Sequence, residues 1–529
     1  MTVHLRHETR PIAGRPLPPP ALSSLGLVIL VTGQLLTQLD FSIVNVALDR
    51  IGASLGTDAT GLVLVVACYG LSFATLLGAG GRLGDRFGRK RLLITGLALF
   101  GIGSLGAALS TSINMLIGFR ALLGLAGALI MPSTLSILTN VFRDGRERAK
   151  AIAIWSSIFS IGAGIGPIIG GALINSFSWA SVFYLNVPIV AIGIIGGIVL
   201  VPESFDARAP KPDLPGILFS AIGVVMLVYG MIRAGEDGWT SGAVLSAFGV
   251  SVVFLAAFIW WENHSANPML PLEFFKNMSF TGANVALTFS AFGMMGGMYF
   301  FSQFLQSVQG YSPLTSALCM FPMTPAVFIA TMLSVRVNRS IGTKLTMCLG
   351  LLLSGMGIFV FSQVANISAP YWSILLVQIL LGSGIGFTMS PATSSIMNSL
   401  PHNRAGIGSA MNDTTRQLGG ALGIAVLGAL MNGVYRREIN QLAGTNGLSE
   451  SMLANIRGSV QGAHFIAQGL DAKLASLVTQ TSSQAFIDGM RQALLVSSAA
   501  FVIAALMAWF ILPNKEQVVE LKKAALAEE

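Results

Sequence analysis

Asp40, Arg120, Asp413 and Arg416 lie inside long apolar runs of this 529-residue chain. An ionisable group at membrane depth is costly, so it faces a partner or a water-filled path. Asp40 sits in LTQLDFSIVNVAL, residues 36–48. At about 100° per residue, Gln34, Thr37, Gln38 and Asn45 share one helix face, with Asp40 at its edge. Leu35, Leu39, Ile43 and Val46 line the opposite side. The polar face is expected to look into a watery cavity. Burial disfavours the charged form of a carboxylate and a nearby arginine favours it. An acid exposed in turn to water and to an occluded state would therefore bind and release a proton. A cationic substrate competing for the same acid would give exchange. A structural ion pair is the alternative role.

A second set lies further along the chain. Asp413 and Arg416 are three apart and can meet on one helix face beside Asn412. Asp413 is a second acidic candidate, and a self-satisfied local pair is its alternative. In YFFSQFLQSVQGYSPL, residues 299–314, Tyr299, Gln303 and Gln306 are placed to face a cavity, where aromatics hold lipophilic cations. An interfacial aromatic belt reads equally well. Met294, Met295 and Met298 suit an adaptable pocket or plain core.

Other chemistries find little support. Cys68, Cys319 and Cys348 all fall in apolar runs, with no disulfide framework or metal-ligand spacing. The five histidines fall outside those runs, so no metal site is expected. No nucleophile–base set lies at one depth, so no catalytic residue and no enzyme activity are expected. No GxxxxGK[ST] loop appears. No cofactor is called for, and a proton gradient is left as the energy source.

The elements that must position these residues follow from composition. The chain is 53% hydrophobic and only 10% charged, against about 25% charged in soluble proteins. Apolar runs of about 20 residues, each able to cross a bilayer, recur along its length. The pattern predicts an all-α integral membrane protein with fourteen spans. They lie at 25–48, 60–80, 92–110, 112–139, 150–173, 183–201, 215–232, 241–261, 280–302, 314–335, 343–362, 370–397, 405–431 and 492–512. The first is too long for a cleavable signal peptide and lacks a small-residue cleavage site. The formal charge of +8 is topological: basic residues crowd GRLGDRFGRKR (81–91), RDGRERAK (143–150) and RVNRSIGTK (336–344). This bias puts those loops and both termini in the cytoplasm. It also removes the reason to invoke nucleic acid. Asp40 and Arg120 then lie at equal depth, roughly 12 Å below the outer surface. An interaction between them, direct or through water, is expected.

Spans 4 and 12 repeat each other. GLAGALIMPSTLSILTNVFRDGRERAKAIA and GSGIGFTMSPATSSIMNSLPHNRAGIGSAM share a glycine cluster, a proline and an arginine-bearing exit in which Arg148-Ala149 matches Arg404-Ala405. Internal repeats of this kind mark transporters whose halves rock about a central site. They divide the chain into a tail (1–24), a six-helix half (25–201), a linker with two inserted helices (202–279), a second six-helix half (280–512) and a tail (513–529). The second half includes a polar external loop, 433–489, with no motif.

GRLGDRFGRKR resembles the signature loop of the major facilitator superfamily. Fourteen spans, LDFSIVNVAL, RALLGLAGALIMPSTLS and GAGIGPIIGG narrow the likeness to its fourteen-helix drug:proton antiporters, which include exporters of quaternary ammonium compounds. The resemblance covers essentially all spans. It implies the major facilitator fold, with spans 1 and 4 lining a central cavity. It makes Gly81, Asp85, Arg86, Gly88 and Arg89 a conformational latch between the halves, with a solvated loop as the plain alternative. It makes Gly162, Gly166, Pro167, Gly170 and Gly171 the antiporter motif, although Ala153 stands where the fullest form has another glycine. The residues themselves suit close helix packing and a proline bend. The implied function is proton-coupled efflux of lipophilic, cationic drugs from the cell across the cytoplasmic (inner) membrane. Its partners are the substrate, protons and the bilayer, with no obligate protein partner. Export of a native metabolite, such as an antibiotic or siderophore, is the alternative. A non-transporting receptor or scaffold is a third reading, although it would be expected to lose Asp40, Arg120 or the glycines of span 5.

Overall fold

In a bilayer the backbone must satisfy its own hydrogen bonds, so apolar runs of this length fold as helices. The computed structural model describes residues 20–142, 145–205, 213–265, 268, 270, 272–399, 405–442 and 448–514. The N-terminal half holds α1 (Pro20–Leu55), α2 (Ala59–Phe87), α3 (Arg89–Ala108), α4 (Ile113–Val141), α5 (Gly145–Ser176) and α6 (Ser181–Leu200). The inserted pair is α7 (Leu214–Asp237) and α8 (Gly242–His264). The C-terminal half begins with α9 (Met278–Gln303), which ends in a π-helical turn, Phe304–Val308. It continues with α10 (Pro313–Ile341), α11 (Thr343–Val364), α12 (Tyr371–Asn398) and α13 (Ala405–Ile439). Two short helices, α14 (Glu450–Gly458) and α15 (Val460–Ala467), precede α16 (Ala472–Ile511).

Side-chain caps start many of these helices. Asp58 accepts from Gly61 N in α2, Ser112 from Met115 N in α4, and Asp213 from Gly216 N in α7. Each cap satisfies a backbone donor that the first turn leaves free. Thirteen helices among the described residues are long and apolar enough to cross a membrane. The 32-residue α5, whose shorter stretch Gly164–Ser176 is apolar, supplies the fourteenth.

Small residues bring the helices together, as expected where apolar lipid removes the hydrophobic drive. Gly124 of α4 lies directly on the α2 backbone at Tyr69, and Gly423 of α13 lies on α9 at Phe292. The inserted α7 and α8 pack on each other, and α7 also touches α2 and α13, one helix from each half. Val252, Val253 and Trp260 of α8 remain exposed.

The connection after α13 differs from the expected open loop. Most of 433–489 is helical, and the last long helix starts at Ala472 rather than near residue 492. Hydropathy misses this because the first turns of α16, AKLASLVTQTSSQAF, are polar on one side. Their other side buries Val478, Ala485 and Phe486. The tails 1–19 and 515–529, and Arg404 of the repeat, lie outside the described residues.

A Cβ at Gly124 would stand 3.0 Å from Tyr69 C and 3.1 Å from Phe73 N. Backbone cannot yield as a side-chain tip does, so Gly124→Val should destabilise the protein by about 1–3 kcal/mol. Gly118, with open space around it, is the control. Thermal melts in detergent should show a lower Tm for Gly124→Val and no loss for Gly118→Ala.

Candidate functional site

Asp40 and Arg120 meet in the interior of the N-terminal half, where both side chains are 0% exposed. Arg120 Nη1 lies 2.5 Å from Asp40 Oδ2, and Arg120 Nε donates to Val65 O at 3.0 Å. The guanidinium carbon sits 4.5 Å from the centre of the Tyr69 ring, a cation–π contact. Asn186 of α6 donates to Asp40 Oδ1 at 2.9 Å and to Ser104 Oγ at 3.2 Å. Five helices (α1, α2, α3, α4 and α6) thus meet at one carboxylate. Such a pair is held by its geometry: burial costs each ion its hydration, and only close pairing offsets that loss.

The rest of the polar face of α1 is also turned into protein. Gln34, Thr37, Gln38 and Asn45 are all buried, and neither they nor Asp40 line the large cavity. The expected watery cavity beside this face is replaced by helix contacts, because α5 and α2 close over it. Tyr69 Oη donates to Thr37 O at 3.1 Å, and Thr37 Oγ1 donates to Gln34 O at 2.9 Å. Direct competition of a substrate for Asp40 is therefore closed in this conformation.

The glycines of α5 face two ways. Gly162, Gly166 and Gly170 abut Gln38, Ser42 and Ile43 of α1. Ser42 Oγ donates to Gly162 O at 3.0 Å. On another side, Gly164 and Gly171 abut Thr324 and Leu314 of α10, in the other half. Pro167 lines a small cavity of about 40 Å³ with Gly164, Met298 and Gln378. One stripe joins the helix carrying Asp40 to the opposing half.

The end of the bundle opposite the basic loops is closed between the halves. Ser302 Oγ donates to Asn45 O at 2.8 Å, and Gln306 Nε2 to Val46 O at 3.2 Å. Ser307 bonds Asp49. Short helix α15 seals the contact: Gln461 Nε2 donates to Gln303 Oε1 and to Ser307 Oγ, both at 3.1 Å. His464 of α15 bonds Ser483 of α16 at 3.2 Å. Burial, partly opposed by Asp49, lowers the pKa of that imidazole. Tyr299, Gln303 and Gln306 belong to this closed end and not to the large cavity. Of the three, only Gln306 lies in the π-helical turn, whose register simple α-helical spacing does not foresee.

Toward the basic end lies a cavity of about 710 Å³. Arg82 and Asp85 line its mouth, Pro132 and Trp155 its N-terminal wall, and Asn284 and Asp413 its C-terminal wall. The inserted pair contributes Ser220, Val224, Leu255 and Phe258. Asp413 is thus the acid from the apolar spans that meets this space. It lies 3.3 Å from Arg416 Nη2 and 3.4 Å from Asn412 Nδ2, and Thr393 Oγ1 donates to Asn412 at 2.9 Å. In the loop 81–91, Gly88 is a one-residue joint between α2 and α3 with φ +111°. Asp85 pairs with Arg89 across it, at 2.7 Å. Arg86 stacks beside Phe87. Glu203 accepts from Lys90 N at 3.0 Å and Arg91 N at 3.3 Å. Asp85 is thus paired within its own half in this conformation.

Patterning alone does not single out Tyr69, Ser104 and Asn186, which complete the Asp40 cluster. The signal that could have found Asn186 is a lone amide in the apolar run YLNVPIV. The contribution of α7 and α8 to the cavity wall has no local signal at all.

Two helical bundles around a cavity that is sealed at one end define a membrane transporter. Comparison narrows the class. The family model described as Major Facilitator Superfamily matches residues 30–424. The chain is 35% identical over 492 residues to the multidrug efflux pump LfrA of Mycolicibacterium smegmatis, covering 92% of this chain and 96% of that one. It is 30% identical over 506 residues to the tetracenomycin C resistance and export protein of Streptomyces glaucescens, covering 94% and 92%. A solved bacterial homolog of the human lysosomal transporter Spinster shares the fold, with a TM-score of 0.65 at 18% identity over 93% of this chain and 98% of that one. This chain belongs to the major facilitator superfamily.

Arg120→Met leaves a buried carboxylate unpaired and should cost about 3–5 kcal/mol. The double variant Asp40→Leu/Arg120→Met should cost less than either single change, read from thermal melts in detergent. The seal gives a second expectation. A Cβ at Gly52 would stand 3.7 Å from Gln461 Cβ, within the range of a disulfide. With Cys68, Cys319 and Cys348 replaced by serine, Gly52→Cys/Gln461→Cys should cross-link on oxidation. Transport should stop, and reductant should restore it. Unimpaired transport by the cross-linked protein would mean this end need not open.

Proposed function

We propose that the protein exports lipophilic drugs across the cytoplasmic membrane in exchange for protons, with the basic loops and both termini in the cytoplasm. The observation that carries this reading is the large, mostly apolar cavity holding Asp413, set beside a sealed Asp40–Arg120 pair. A lipophilic cation would rest on the apolar wall, with Asp413 as its counter-ion. Asp40 would take the proton. Protonation removes the charge that holds Arg120 and leaves Asn186 a weaker partner. Helix α1 would then be free to shift on the glycines of α5, and α5 in turn bears on α10 of the other half. The proton and the drug would thus act on one rocking motion from different places. Asp85 and Arg89 would act as the latch when the basic end closes. No cofactor enters this scheme, because the proton gradient supplies the energy.

The tetracenomycin exporter among the relatives supports a second reading, export of a native antibiotic. The formal charges in the spans cancel, which leaves a neutral substrate compatible with the cavity.

The test uses everted vesicles energised to an acid interior, comparing wild type with Asp40→Asn and Asp413→Asn. Ethidium, quaternary ammonium compounds and a neutral aromatic polyketide are added in turn while interior pH is followed. Wild type should alkalinise the interior on adding cations, and Asp40→Asn should not. Asp413→Asn should weaken the response to cations at least tenfold in concentration and spare the polyketide. Equal responses from wild type and Asp40→Asn would remove Asp40 from the coupling route. A response to the polyketide alone would favour the antibiotic reading.

A further inference from the structure

The inserted pair carries two buried carboxyl groups that the transport scheme does not use. Asp213, just before α7, accepts on Oδ1 from Gly216 N at 3.1 Å and from Trp261 Nε1 at 2.7 Å. Glu262, in the last turn of α8, accepts on Oε2 from Leu270 N at 2.9 Å. Their other oxygens, Asp213 Oδ2 and Glu262 Oε1, are buried without a hydrogen-bond partner. The residues are only 7% and 3% exposed. Both orphaned oxygens point at the same glycine. A Cβ on Gly216 would lie 2.6 Å from Asp213 Oδ2 and 2.9 Å from Glu262 Oε1. The two carboxyl groups therefore crowd the same side of Gly216.

Two adjacent carboxylates repel, and two buried acceptors facing each other lack a donor. One proton corrects both faults: it cancels a charge and turns one acceptor into a donor. We propose that Asp213 and Glu262 hold one proton between them, making the inserted pair a proton-binding site separate from Asp40. Among the described residues, Arg82 of α2 also bears on Glu262, and its Nη2 donates to Pro268 O at 2.5 Å. Arg82 and Leu270 both line the large cavity. The shared proton therefore secures the segment after α8 against the cavity mouth. Glycine at 216 leaves the room in which the two groups meet.

The sign of the pH effect follows from linkage. A proton bound in the folded state and absent from the unfolded chain stabilises at low pH, and that stabilisation is lost as pH rises through the pair's titration. The test melts the purified full-length protein from mildly acidic to mildly alkaline pH at fixed ionic strength. Wild type should lose several degrees of Tm as pH rises. Glu262→Gln, whose amide donates to Asp213 at every pH, should lose that dependence. Infrared difference spectra of wild type against Glu262→Gln at neutral pH should contain a protonated carboxyl stretch. Asp213→Asn, which keeps the cap on α7, should give the same difference band if Glu262→Gln does not fold. Identical pH dependence in wild type and Glu262→Gln, or difference spectra without that band, would overturn the proposal. So would stabilisation of wild type, but not Glu262→Gln, by sodium at fixed pH, since the pair would then hold a metal cation.

Discussion

The arrangement of the N-terminal half depends on one unaffordable alternative: an arginine and a carboxylate left apart inside a bilayer. Neither Asp40 nor Arg120 can reach water, so each must be brought to the other with almost no freedom. That requirement sets α1 and α4 at one depth. The remaining valences then recruit α2 through Val65 O and Tyr69, and α6 and α3 through Asn186 and Ser104. A change of one charge at Asp40 consequently touches five helices at once.

Next to this cluster, α5 packs through glycines rather than through side chains of its own. The α5 glycines let α1 lie close on one side and α10 on another. On the α1 side, the side chains of Gln38, Ser42 and Ile43 enter the space that the glycines leave, and Ser42 ties the register through Gly162 O. The packing reading of this stripe is what these contacts display. The halves are held at one end by α15 and the π-helical turn. Near the other end, the inserted pair instead forms part of the cavity wall. The two ends are thus asymmetric: one is sealed between the halves, and the cavity lies toward the end that carries the basic loops.

The candidate acids divide into one hidden from the cavity and one that lines it. Asp40 is hidden, and Asp413 lines it. A substrate can therefore influence the first acid only by moving helices, whereas it can meet the second directly. This separation suits exchange in which proton and drug need not occupy one atom. The carboxyl pair on the inserted helices adds a third acidic location, near the mouth and outside both.

The sequence alone determined the membrane class, most of the spans, and the match in depth between Asp40 and Arg120. These are legible because each follows from local facts: run length, composition, and a fixed rise per residue. The partners of Asp40 were only half legible. Arginine announces itself in an apolar run, but Asn186 and Tyr69 are ordinary enough to be overlooked. Tertiary structure alone decided that the polar face of α1 meets protein and not water, because an amphipathic pattern does not distinguish a cavity from a polar protein interface. It also decided that Tyr299, Gln303 and Gln306 close an end instead of lining the cavity, that residues 450–467 fold as short helices against that end, and that α7 and α8 join the cavity wall. Periodicity fixes the direction of a side chain relative to its own helix. What stands opposite depends on contacts hundreds of residues away in the chain, and no local pattern encodes them.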